Sequence, residues 1–164
     1  MEIEAKLHAL GLALPPAPVV PPGVRLPFVF VRVRGDRAIV SGHIALAPDG
    51  GLAGPFGKVG GEVSVEEGYA AARLTALAVL GSLHRELGDL DRIVAWVRVF
   101  GMVNAAPGFH DMPAVINGFS DLILELYGPD AGQHARSAVG VAGLPWNSPV
   151  EIEAEVVLRP AVRS

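Results

Sequence analysis

The chain has 164 residues, enough for one domain with a substantial core. It is 51% apolar and 18% charged, carries a net charge of −4, and contains no cysteine. Disulfides, thiolate catalysis and Cys-based zinc sites are therefore excluded. The lack of a Lys/Arg run argues against a nucleic-acid-binding face.

So few charges leave much surface to be covered by other means, and some apolar surface is expected to be buried between subunits. The first residues, MEIEAKLHALGLALP, carry acids where a secretion signal needs bases. No apolar run approaches the roughly 18 residues of a spanning helix. A soluble cytoplasmic protein without membrane partners is the expectation.

Ile3, Leu7 and Leu10 recur at helical spacing, which predicts a short amphipathic helix over residues 3–11 with Gly11 at its end. The proline-rich stretch Pro15–Pro22 reads as an extended connector. Residues 1–25 thus form a helix and connector ahead of a main domain over 26–160. Two β-rich runs follow, PFVFVRVR and RAIVSGHIAL, separated by a hairpin turn at Gly35-Asp36. Residues 47–61 are a glycine-rich loop.

Ser64 and Glu67 form a capping box that opens a long helix. Its expected buried stripe is Tyr69, Ala72, Ala76, Leu80, Leu83 and Leu87, and Gly88 should end it. Ile93–Val103 is β-branched and aromatic, as in a central strand. A second helix is expected from Asp111-Met-Pro113 to the stop at Gly128-Pro129. Ala135–Val141 and Val150–Leu158 read as the last strands. One sheet covered by two main helices satisfies this order, an α+β fold.

Arg136 stands in an otherwise small, apolar strand, QHARSAVGVAGLP. A guanidinium beside apolar residues is costly unless it meets an anion, and Arg grips carboxylates through two parallel hydrogen bonds. Alternation puts Arg136, Ala138 and Gly140 on one face, where the small residues leave room for a pocket. Ser137, Val139 and Val141 on the other face look like core packing. Arg136 binds a small carboxylate on this reading. An ion pair with Glu151, Glu153 or Glu155 is the structural alternative.

The final strand puts those three glutamates on one face. They form a solvated polar surface, or one of them faces a cleft and orients a water. Ser41-Gly42 is either a bulge or a place where backbone approaches a ligand.

Other motifs are weaker. GPFGKVG lacks the first glycine of a phosphate loop and has Val59 where Ser or Thr belongs. His8, His43, His84, His110 and His134 show no metal-ligand spacing. Neither metal nor cofactor is expected.

HARSAVGVAGLP followed by VEIEAEV resembles the C-terminal signature of the YjgF/Rid family, the reactive intermediate deaminases once labelled endoribonuclease L-PSP. IVSGHIAL, the segment from Val65 to Val103, and VINGFSDLILELYG resemble three further family segments in order. The NGxSDL block marks a longer family variant. Together these cover about residues 26–158.

The resemblance implies a chorismate-mutase-like fold, a homotrimer, and ligand clefts between subunits. It assigns the substrate carboxylate to Arg136, water positioning to Glu151, and backbone contacts to Gly42 and Ala138, with Ser41 beside them. Phe28 falls where many members carry a tyrosine, and a phenyl ring cannot donate a hydrogen bond. Asn117 matches a recurrent asparagine, in the site or as a buried structural amide. The implied activity is hydrolysis of reactive imines or enamines such as 2-imino acids, giving 2-keto acids and ammonia. The alternatives are a non-catalytic trimer that binds small carboxylates and the older endoribonuclease label, which the acidic charge opposes.

Overall fold

A computed structural model describes residues 1–159. The elements run α1 (Glu2–Ala9), β1 (Val31–Arg34), β2 (Arg37–His43), α2 (Val65–Leu87), β3 (Ile93–Asn104), α3 (Met112–Gly132), β4 (Ala135–Val141) and β5 (Val150–Leu158). Short 3₁₀ turns occupy Leu90–Arg92 and Pro145–Asn147. The strands form one sheet in the order β1-β2-β5-β3-β4. Only β3 and β4 pair in parallel, with α3 as the crossover between them, so the sheet is mixed.

The local signals explain the elements. The Ser64 hydroxyl accepts from the Glu67 amide, and the Glu67 carboxylate accepts from the Ser64 amide. Gly88 closes α2 in a left-handed conformation (φ 76°) that a side chain would resist. Of the expected stripe, Ala72, Ala76, Leu80, Leu83 and Leu87 are buried. Tyr69 is half-buried instead, because its hydroxyl reaches out to donate to Asp121. The helix buries more than one stripe, including Thr75 and Val79, because it packs against both the sheet and α3.

Three boundaries differ from expectation. β1 is shorter than PFVFVRVR, beginning at Val31, and leaves Phe28 and Phe30 outside the ladder. Pro27 has no N–H to offer it. β2 ends at His43, and its register against β5 shifts between Val40 and His43, so Ser41-Gly42 lies in an irregularity of the ladder. Gly128 breaks α3 (φ 71°, ψ 179°) without ending it, and a further turn from Pro129 to Gly132 follows.

Both main helices cover one face of the sheet. Trp96 packs edge-on against Phe119 and Tyr127, each with ring centroids 5.8 Å away. Gly118 lets α3 cross α2 closely: a Cβ there would lie 2.8 Å from the carbonyl carbon of Tyr69. Ile3 and Leu7 of α1 join this core. Among the described residues the opposite face carries no helix. Ile39, Phe100, Met102 and Val139 lie on it beside Glu151, Glu153 and Glu155.

Candidate functional site

Arg136 lies on the helix-covered face, level with Val99 and Ala154. This reverses the expected sides of β4. Ser137 is exposed, and Val139 and Val141 are only half-buried, because no helix covers them. The space beyond Arg136 is also partly filled. A Cβ on Gly140 would meet Ala105 at 3.1 Å and the Met112 sulfur at 3.6 Å.

The guanidinium is held by neutral acceptors. Nη1 donates to Asn117 Oδ1 (2.9 Å) and Ser120 Oγ (3.0 Å), and Nη2 to the Pro113 carbonyl (3.4 Å). No carboxylate lies within 4.0 Å of it among the described residues. The expected alternative of a cross-sheet ion pair does not form: Glu155 pairs with Arg37, and Glu153 lies 3.6 Å from Arg98. Burial lowers the Arg136 pKa, with Asp121 acting the other way. An arginine nonetheless stays charged at any working pH. Arg136 is therefore a fixed cation with no paired anion among the described residues.

Ser120 was not evident from the sequence as a functional residue. It lies one helical turn after Asn117, on the same face, which is the only signal the sequence offers. Its hydroxyl also bonds His134 Nε2 at 2.9 Å. His134 Nδ1 lies 2.7 Å from the Gly132 carbonyl, so Nδ1 carries the proton and Nε2 accepts from Ser120. Burial first, and Arg136 further, pull the His134 pKa down against the Gly132 carbonyl. The neutral ring fixes the Ser120 hydroxyl with its lone pairs toward Arg136. Asn117 is exposed rather than buried, and its side-chain oxygen meets the cation.

Glu151 lies on the uncovered face, level with Met102. It is half-buried and has no ion-pair or side-chain hydrogen-bond partner among the described residues. Burial, then Glu153, raise its pKa above the usual carboxylate value. It borders a cavity of about 270 Å³ that Gly42, Phe28, Phe30 and Trp146 also line.

Gly42 has a specific reason to be glycine. A Cβ there would collide with Glu151 Oε1 and lie 2.9 Å from its Cδ. The close approach allowed at this glycine is made by the carboxylate itself. Ser41 does not line the cavity. Its hydroxyl donates to the Val29 carbonyl (2.7 Å) and its amide to the Phe30 carbonyl (2.9 Å), which fixes the segment bearing Phe28. His43 is fully engaged: Nδ1 donates to the Ser41 carbonyl and Nε2 accepts from Ser82.

Trp146 reaches the cavity rim from a left-handed backbone conformation (φ 52°), followed by Asn147 (φ 56°). Such a conformation costs a non-glycine residue about 1–2 kcal/mol. Asn104, fully buried at the end of β3, holds it. Its amide donates to Asn147 Oδ1 (3.1 Å) and the Gly57 carbonyl (3.3 Å), and its oxygen accepts from Lys58 (2.8 Å). No spacing in the chain announces this hub.

One chain therefore brings together Phe28, Gly42 and Glu151. It brings Arg136 together with Asn117, with Ala138 on the same strand and face. It does not bring these two groups together, because Arg136 and Glu151 are on opposite faces of the sheet with β3 between their strands.

Residues 4–155 match the family described as "YjgF/chorismate mutase-like, putative endoribonuclease". The chain belongs to this family. Protein TCP17 of Trypanosoma cruzi is 40% identical over 156 residues, covering 95% of this chain and 94% of that protein. The structure of Atu1372 from Agrobacterium tumefaciens superposes with a TM-score of 0.84 at 36% identity, over 96% of this chain and 92% of that one. A Shewanella oneidensis structure gives a TM-score of 0.85 at 31% identity, over 96% and 100%. The five-stranded mixed sheet with its short N-terminal helix is thus the YjgF fold. Members of this family are commonly homotrimers. Among the described residues no helix is long and apolar enough to cross a membrane.

Proposed function

We propose that the protein hydrolyses small 2-imino acids in clefts that form between subunits of a homotrimer. The observation that carries this reading is the pair of incomplete half-sites. An arginine on neutral acceptors lacks an anion, and a partnerless carboxylate borders a cavity that lacks a cation. A second copy supplies to each what its own chain withholds. The uncovered sheet face, with Ile39, Phe100 and Met102, gives copies an apolar surface on which to associate.

In the joined site Arg136 holds the substrate carboxylate. Glu151 accepts a proton from water as the water oxygen bonds to the imine carbon. The C=N π pair moves to nitrogen, which takes up a proton. The resulting carbinolamine then breaks its C–N bond, with a proton passed through Glu151, to give a 2-keto acid and ammonia. The raised Glu151 pKa suits a group that both accepts and returns a proton. The imine carbon is already electrophilic, so orientation and one placed base suffice.

Generating imines with an amino-acid oxidase in the presence of a semicarbazide trap tests the reading. The protein should reduce trapped imine, and Arg136→Ala should abolish the effect. Undiminished hydrolysis by Arg136→Ala would refute the assignment. Phe28, which cannot donate a proton, favours a second reading as a carboxylate-binding trimer. In that case 2-keto acids bind in an Arg136-dependent way and no imine is consumed.

A further inference from the structure

Pro18, Val19, Val20 and Pro21, from the connector between α1 and β1, form one wall of the cavity beside Glu151. The connector is fastened along its length. Arg85 donates to the Pro15 carbonyl (3.1 Å), and the Val19 amide donates to the Gly50 carbonyl (3.0 Å). At Ala17 it runs so close to Gly50 that a Cβ there would lie 2.7 Å from the Ala17 oxygen. A segment pinned at three points is a built wall.

The opposite sides of the cavity are also carbon: Leu26, Leu46 and Leu52, with the rings of Phe28, Phe30 and Trp146. Two titratable side chains reach the lining. His43 has both ring nitrogens committed, so of the two only Glu151 is without a side-chain partner among the described residues. The space equals about nine waters by volume, held against walls that offer water almost no hydrogen bonds.

We propose that this cavity is the side-chain pocket of the substrate, and that the protein prefers 2-imino acids with bulky aliphatic or aromatic side chains over those with methyl or hydroxymethyl groups. The inference rests on the hydrolase reading above and specifies its substrate class. Glu151, at the cavity edge, would face the reacting carbon once the side chain is inserted. The methyl group of an alanine-derived imine leaves most of the apolar wall wet. A leucine-derived imine buries three more carbons, at about fourfold in affinity each, or about 60-fold in all.

The test compares kcat/KM for imines generated from alanine, leucine and phenylalanine, in the wild-type protein and in Val20→Asp and Val20→Trp. Val20 is 40% exposed, so neither change threatens the core. A charge or a filling ring in this wall should reduce the leucine-to-alanine ratio from tens to less than about fivefold. A wild-type ratio within threefold would overturn the inference, since it would mean that the cavity is flooded or filled by a neighbouring subunit. A large ratio indifferent to both variants would also overturn it, by placing the selectivity elsewhere. Absence of turnover on all three imines would remove the hydrolase reading itself and this inference with it. That result is distinct from a flat but active profile.

Discussion

Gly42→Ala separates the chemistry of Glu151 from the stability of the fold. The added Cβ would collide with the Glu151 carboxylate oxygen and lie 2.9 Å from Cδ and 3.1 Å from Cγ. These atoms are the far end of a flexible side chain bordering a cavity, so the carboxylate moves and the backbone does not. The backbone of Gly42 is not in the left-handed region, and alanine there also restricts the unfolded chain. Net stability should therefore change by less than about 1 kcal/mol. Catalysis should fall by about 10²–10⁴-fold, the range for a lost general base.

Urea melts and imine-trapping kinetics measure the two effects side by side. Glu151→Gln should match Gly42→Ala in activity, and the double variant should lose little more, because both remove one interaction. Full activity in Gly42→Ala, or losses that multiply in the double variant, would refute the claim that this glycine serves the carboxylate.

Other expectations concern the supports of the site. Ser120→Ala should raise KM for a carboxylate substrate about tenfold with a smaller change in kcat, since it frees Arg136 without removing it; His134→Gln should behave similarly but more mildly. Asn104→Ala should destabilise the fold by about 1–3 kcal/mol, measured by urea unfolding, because it leaves the buried Gly57 carbonyl unmet and takes one acceptor from the half-buried Lys58.

Burial holds His43 down to about 4 from an ordinary 6.5. The unfolded chain therefore takes up this proton first as pH falls. The contribution is fully present above pH 6.5 and is lost between 6.5 and 4, amounting to about 2 kcal/mol by pH 5. Unfolding midpoints at pH 7 and pH 5 should differ accordingly, and His43→Gln should flatten that difference.

The fold was largely legible because its signals are local. The Ser64–Glu67 box, the β-branched run from Ile93 and the stop at Gly88 act through neighbours in sequence. For the candidate site the sequence offers residues but not their arrangement. Arg136, Asn117, Gly42 and Glu151 could be named, yet the two faces of β4 were read the wrong way round. Alternation says which residues share a face and not which face a helix will cover. The groups that hold the site came from long-range register. Asn104 meets Lys58 and Asn147, and His134 meets Ser120, through contacts that no spacing in the chain announces. Trp146 escaped notice because a left-handed tryptophan is tolerated only where Asn104 secures the next residue.

The placement of Arg136 and Glu151 on opposite faces of the sheet has a genetic consequence. If the clefts join two subunits as proposed, two defective alleles should rescue one another. Chains carrying Arg136→Ala retain Glu151, and chains carrying Glu151→Gln retain Arg136. After co-refolding in equal amounts, each mixed trimer would have one cleft that joins an intact arginine to an intact glutamate, about a quarter of all the clefts formed. Each parent alone would have none.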